Sequence, residues 1–138
     1  MKALLGVPWW RALAAWLLIA LLESLHGTLR ELFLVPVVGA TIAGRIGFVV
    51  GSLLVIGVAW ATSRWLGANS RAALLGVGAL WALLMLGFEL SLGRARGFGW
   101  ARIGAEFDPS QGGLMGIALL LMLLAPTWGA WLRRPRRR

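Results

Sequence analysis

Residues 12–32 have the sequence ALAAWLLIALLESLHGTLREL, in which eleven uncharged residues precede four ionisable residues within nine positions. A bilayer-spanning helix needs about 20 mostly apolar residues. The run reaches that length only if Glu23 and His26 are included in it. The segment therefore predicts a membrane-spanning helix that carries ionisable groups inside the hydrocarbon region.

The rest of the chain has the same character, since 59% of its 138 residues are hydrophobic and only 14% are charged. A soluble domain of this size needs more polar surface to cover its core. We predict an all-α integral membrane protein, folded as one transmembrane domain with four transmembrane helices. The expected spans are about 12–30, 45–63, 72–92 and 109–132, and a basic tail occupies 133–138.

Two connecting segments need separate interpretation. Residues 32–44 either extend the second span outward from Pro36 or form a re-entrant or interfacial turn. Between the third and fourth spans, Trp100, Ile103 and Phe107 recur at helical spacing. That spacing predicts a short amphipathic helix lying on the membrane surface.

The fourth span has a recognisable start and an internal proline. Asp108 is a typical N-cap residue, Pro109 suits the first helical position, and Gln111 has the capping-box spacing. Pro126 removes a backbone donor from the helix interior and predicts a kink about one turn earlier.

The charged residues are distributed unevenly between the two sides. With four spans, one side holds nine basic residues and no acidic residue, namely Lys2, Arg11, Arg64, Arg71, Arg133, Arg134, Arg136, Arg137 and Arg138. The other side holds five of each sign, namely Arg30, Arg45, Arg94, Arg96 and Arg102 with Glu23, Glu31, Glu89, Glu106 and Asp108. Basic loops prefer the cytoplasm. We expect a multi-pass bacterial inner-membrane protein with both termini cytoplasmic and its first span retained.

The ionisable residues of the spans form the candidate site. A helix that starts at Ala12 reaches Glu23 after about 17 Å, which is beyond the bilayer midplane but short of water. Glu23, His26 and Arg30 share one helix face. We expect Glu23, His26 and Arg30 from span one, Arg45 from span two and Glu89 from span three to form a polar cluster in the outer leaflet half.

The outer loop contributes further polar residues above this cluster, namely Arg94, Arg96, Arg102, Glu106 and Asp108. Such a cluster can bind a cation or relay protons. The alternative is structural, because charged side chains near span ends also extend to the interface and pair with one another. That alternative is favoured for Arg30, Glu31 and the loop arginines, whereas the depth of Glu23 favours a functional role.

Small residues repeat every four positions on two of the predicted helices: Gly39, Ala43, Gly47 and Gly51, and again Gly112 and Gly116. Small faces let membrane helices pack closely. We therefore expect contacts to the lipid bilayer and to a second copy of the chain or a larger membrane complex.

Several kinds of chemistry have little support. The chain has no cysteine, and no nucleophile, phosphate-loop or zinc motif is present. Glu23 and His26 have the Glu-x-x-His spacing of di-iron bundles, but one copy per chain needs a symmetric dimer. We predict no catalytic residues, no metal site and no nucleic-acid partner, and the sequence names no cofactor.

The expected function is to bind or pass a small ion or polar solute through the polar cluster. The alternatives are an accessory subunit of a larger membrane complex and a membrane enzyme acting on a lipid or quinone.

Overall fold

A computed structural model describes residues 2–134 of the chain. This part of the chain is all-helical, and four of its helices are long and apolar enough to cross a membrane, which confirms that part of the prediction. Met1 and residues 135–138 of the predicted basic tail lie outside the described residues.

The helices follow one another with short connections. In chain order they are α1 Lys2–Leu5, α2 Trp9–Leu29, a π-helical turn Arg30–Leu34, α3 Val35–Val38, α4 Ala40–Thr62, α5 Arg71–Ala95, α6 Trp100–Ala105, a 3₁₀ turn Pro109–Gln111 and α7 Met115–Leu132.

The first long helix is longer than its predicted span, because it continues through the π-helical turn and α3 to Val38. It ends at Gly39, whose φ of 81° lies in the left-handed region that favours glycine. Pro36 lies just after the π-helical turn, and it has no backbone N–H to donate to the residues of that turn. Residues 32–38 therefore extend the first helix, which neither alternative predicted. Residues 40–44 begin α4 and extend the second span outward, in agreement with part of the first alternative.

The four long helices pack as a bundle in which α7 contacts α4 and α5, and α2 contacts the same two helices. Fully buried side chains at its centre include Trp81, Ile19 and Val77. The Trp81 indole N–H donates a hydrogen bond of 2.8 Å to the carbonyl of Ala12, which links α5 to α2. Among the described residues, no polar or charged side chain is fully buried.

The backbones of α7 and its neighbouring long helices approach closely at two glycines that the sequence pattern did not indicate. A Cβ atom on Gly78 would collide with the Leu123 carbonyl of α7, and one on Gly129 would lie 2.6 Å from the Ala59 carbonyl carbon of α4. These positions therefore set the spacing of α7 from its two neighbours.

The glycines predicted to mediate packing have other surroundings. Gly47 and Gly51 face side chains of the first helix, whereas Gly39 and Gly112 take left-handed backbone conformations in connections. Ala43 is fully buried, and Gly116 lies in the first turn of α7.

The fourth long helix begins at Met115 rather than at Pro109. Asp108 does act as an N-cap, but of the short 3₁₀ turn, which ends at Gly112 with a φ of 81°. That left-handed residue stops the turn before it can continue as α7. Pro126 lies inside α7 and is buried.

A short helix, α6, lies between the third and fourth long helices as predicted, but it ends at Ala105 and does not include Phe107. Its Ile103 is only 4% exposed and packs on Gly93 of α5. Trp100 and Arg102 lie on its exposed side. α6 thus holds the long connection between α5 and α7 against the bundle.

Arginine and tryptophan side chains cluster where α2 begins and where α4 and α7 end. Arg11 donates a hydrogen bond of 2.8 Å to the Trp65 carbonyl and lies 5.2 Å from the centre of the Trp10 ring. Arg133 lies 4.5 Å from the centre of the Trp60 ring. We refer to this end of the bundle as the Arg–Trp end.

Candidate functional site

A cavity of about 120 Å³ lies between the four long helices, in the half of the bundle away from the Arg–Trp end. All four helices line it. The lining residues are Glu23 of α2, Gly47, Phe48, Gly51, Ser52 and Val55 of α4, Met85 and Glu89 of α5, and Met115, Ala118, Leu121 and Met122 of α7. We refer to it as the central cavity.

Glu23 enters this cavity because α4 has no side chain opposite it. A Cβ atom on Gly51 would lie 2.9 Å from Oε2 of Glu23 and 3.1 Å from Oε1. Oε1 is buried and accepts no hydrogen bond, whereas Oε2 lies 3.6 Å from Nδ1 of His26. The carboxylate is thus partnered on one side only.

Glu89 reaches the same cavity from α5 and is half-buried. It lies within Coulombic range of Glu23 and Glu106, which repel it, and of Arg96 and Arg30, which attract it. The structure therefore brings together the two carboxylates that the sequence placed in the outer halves of spans one and three.

Arg30 packs beside the cavity, against Gly47, and within Coulombic range of Glu89. Its aliphatic chain fills the space left by Gly47, where a Cβ atom would lie 2.7 Å from Cδ of the arginine. Its guanidinium pairs with Glu31 at 2.9 Å. Arg30 thus divides its charge between Glu31 and Glu89, and no basic side chain is among the residues that line the cavity.

Arg45 does not join the cluster, because it is exposed on the surface of α4. It lies two positions from Gly47, and a helix turns about 100° per residue, so the two residues point to opposite sides of the helix. Arg45 was predicted to join the cluster from its depth along the span alone. The face of the helix on which it lies was not taken into account.

The loop arginines interact mainly with aromatic neighbours. Arg94 donates a hydrogen bond of 2.9 Å to the Phe98 carbonyl and lies 4.9 Å from the centre of the Trp100 ring. Arg102 lies 3.6 Å from the centre of the Phe98 ring. Arg96 is exposed. Arg94 and Arg102 therefore order the connection that covers this end of the bundle.

Asp108 has a local role in the same connection. The Ser110 hydroxyl and the Gln111 side-chain amide donate to its carboxylate at 2.7 Å and 3.0 Å. These bonds hold the pKa of Asp108 below its ordinary value. They are formed at neutral pH and are lost only as the pH falls through that lowered pKa.

Ser52, Met85, Met115 and Met122 are among the cavity-lining residues that the sequence analysis did not identify. The Ser52 hydroxyl donates to the Phe48 carbonyl at 2.7 Å, so an oxygen lone pair stays free. A spacing signal for the methionines existed, since Met85 lies one turn before Glu89, and Met115 and Met122 are seven residues apart. Both spacings place the pairs on one helix face.

The opposite half of the bundle is filled by apolar side chains. Trp81, Val77 and Ala125 are each 0% exposed. The core between the central cavity and the Arg–Trp end is therefore apolar at these positions.

The ionisable side chains of the site are Glu23 and Glu89 in the cavity and His26 beside it. Within residues 2–134, no group of three or more His, Cys, Asp or Glu side chains is placed to hold a metal ion. A cation in the cavity would lie near the carboxylates of Glu23 and Glu89, with His26 beside the cavity. The other lining residues are uncharged.

Comparison with models of protein families, with curated proteins and with solved structures found no match for this chain. Its function therefore has to be inferred from the site.

Proposed function

We propose that this chain is a small multi-pass protein of the bacterial inner membrane that binds, and in an oligomer passes, a small cation at the central cavity. The observation that carries the proposal is the meeting of Glu23 and Glu89, from α2 and α5, in one cavity lined by all four long helices. Carboxylates inside a membrane are costly unless they have partners, and in such proteins they often mark ion sites.

Charge and volume both support a cation. Arg30 divides its charge between Glu31 and Glu89, and no basic side chain is among the cavity-lining residues. A cavity of about 120 Å³ is well below the 300–1,000 Å³ or so of pockets for drug-sized ligands. It has room for an ion with a few waters.

We expect Glu23→Gln and Glu89→Gln each to weaken cation binding, because each removes one of the two negative charges of the cavity. The measurement is thermal unfolding of the detergent-purified chain against rising Na⁺, K⁺, Mg²⁺, Mn²⁺ or Ag⁺. A ligand at 100 times its Kd stabilises the folded state by about 2.7 kcal/mol. The wild-type unfolding temperature should rise with at least one cation, and in the double variant this rise should be lost.

Asp108→Asn is the matched control, because it removes one negative charge outside the cavity and asparagine remains a good N-cap residue for the 3₁₀ turn. Its response to the cation should equal that of the wild type. An unchanged response in the double Glu23→Gln/Glu89→Gln variant, or no response of the wild type to any cation, contradicts the proposal.

The proposed orientation places the Arg–Trp end in the cytoplasm. Arginines stacked on tryptophans are typical of a membrane–water interface, and basic residues favour its cytoplasmic side. An alkaline phosphatase fused after residue 134 or within 67–69 should be inactive in bacteria, whereas a fusion within 97–99 should be active. Activity of the first two fusions and inactivity of the third would reverse the orientation.

One observation favours the accessory-subunit alternative. In the extension of the first helix, Leu32, Phe33 and Val37 are 62%, 67% and 79% exposed. This apolar surface can contact another membrane protein. Stoichiometric recovery of a different protein with the wild type, but not with a Leu32→Ser/Phe33→Ser variant, would support that function.

A further inference from the structure

The central cavity is bordered by three methionines, one from α5 and two from α7. Met85 and Met122 are 5% and 4% exposed, and Met115 is partly buried at the start of α7. They are all the methionines within residues 2–134. Three methionine residues from two helices thus line the same cavity as Glu23 and Glu89.

Methionine commonly fills irregular gaps in a protein core, which is the alternative to a binding role. Here the three side chains leave a space of about 120 Å³ open between them and the other helices. A Met85-to-Glu89 spacing of one helical turn also places a thioether and a carboxylate on the same face of α5. The methionines therefore line a cavity whose wall also includes two carboxylates, and their side chains do not fill it.

The donor set determines which cation this space suits. Thioethers are soft, uncharged ligands that favour Cu(I), whereas Mg²⁺, Ca²⁺ and Mn²⁺ favour oxygen ligands. Two carboxylates are too few for the six or more oxygen ligands of Ca²⁺ or the octahedral shell of Mg²⁺, unless water supplies the rest. A soft monovalent ion can use the thioethers as ligands and the carboxylates as counter-charge.

We infer that the central cavity selects a soft monovalent cation of the Cu(I) or Ag(I) type, held by the thioethers of Met85, Met115 and Met122 and balanced by Glu23 and Glu89. This inference rests on the proposed function, because it names the class of cation that the site binds. His26, 3.6 Å from Glu23, is a further soft-to-borderline donor beside the cavity.

Ag⁺ is the suitable probe, because it has the ligand preference of Cu(I) and is not oxidised by air. The full chain is purified in detergent and chloride-free buffer, and bound silver is counted after equilibrium dialysis. The chain has no cysteine, so no thiol competes for silver. We expect about one tightly bound Ag⁺ per chain, and a loss of affinity of about 100-fold or more in the Met85→Leu/Met115→Leu/Met122→Leu variant.

A relocated-methionine variant is the matched control. It combines the three Met→Leu changes with Leu75→Met, Leu83→Met and Leu120→Met, three exposed positions on the same two helices. It has the wild-type number of thioethers, but outside the cavity. It should bind silver as weakly as the triple variant, and wild-type affinity in this protein would overturn the inference.

X-ray absorption at the silver edge gives a test that needs no variant to fold. In the wild type, the silver should show sulfur neighbours, which in this chain can come only from methionine. A shell of nitrogen and oxygen neighbours alone would overturn the inference.

The outcomes separate this inference from the proposed function. A carboxylate-dependent response to Na⁺, K⁺, Mg²⁺ or Mn²⁺ without tight Ag⁺ binding overturns the thioether site and leaves the cation-binding function standing. Silver binding that survives the triple Met→Leu change but is lost in His26→Ala also overturns it. The absence of binding of any cation overturns both.

Discussion

Replacing Trp81 by alanine should destabilise the folded bundle by about 3–5 kcal/mol, the range found when a fully buried large side chain is truncated. Trp81 is 0% exposed and its indole N–H donates to the Ala12 carbonyl at 2.8 Å. The variant loses this hydrogen bond and leaves a void between α2 and α5. Unfolding of the detergent-solubilised protein by heat or by a denaturing detergent measures the change.

Trp100→Ala is the control for this prediction. Trp100 is 63% exposed, so its truncation should change stability by about 0.5 kcal/mol or less. Trp81→Phe should lie between the two, because it keeps an aromatic ring but loses the N–H donor and part of the ring volume. Equal unfolding temperatures for Trp81→Ala and Trp100→Ala would show that Trp81 does not hold the bundle together.

Gly78→Ala should be the most damaging single-methyl addition in the described helices. Its Cβ atom would collide with the Leu123 carbonyl, which is backbone and cannot rotate away as a side chain can. Overpacking of this kind costs about 1–3 kcal/mol. We expect a lower unfolding temperature and a smaller yield of folded protein, both caused by separation of α7 from α5.

Gly87→Ala provides the comparison on the same helix. No atom lies within 4 Å of a Cβ atom built at Gly87. The only remaining effect is the helix propensity of alanine over glycine, which favours the folded state by about 0.5–1 kcal/mol. The two glycine variants should therefore change stability in opposite directions. If Gly78→Ala and Gly87→Ala were equally destabilised, the close approach of α5 to α7 at Gly78 could not be the cause of the destabilisation.

The long helices were predictable because each depends on local sequence. Apolar runs of sufficient length give four helices, and the tendency of glycine to adopt left-handed conformations explains the breaks at Gly39 and Gly112. The start of α7 was placed too early because Asp108 and Pro109 satisfy the rules for any helix N-terminus, including that of the short 3₁₀ turn. Local rules do not determine how far a turn continues.

The candidate site was predictable only in part, because it depends on which helix faces meet. Glu23 and Glu89 were identified from their depth in apolar helices, and the cavity contains both. The cavity face of α4 was misjudged: the Gly47 and Gly51 positions admit Arg30 and Glu23, whereas Arg45 points away. The contribution of Met122 depends on α7 packing between α4 and α5, which no spacing within one helix predicts.

The one-residue connection at Gly39 also determines where the chain can accept added sequence. Because Gly39 alone joins α3 to α4, an epitope tag placed there would have to unwind helix on both sides of it. The segment 96–99 between α5 and α6 has no such constraint, since Arg96, Gly97 and Gly99 are exposed. Antibodies and impermeant labels directed at this side of the molecule should therefore be aimed at 96–99.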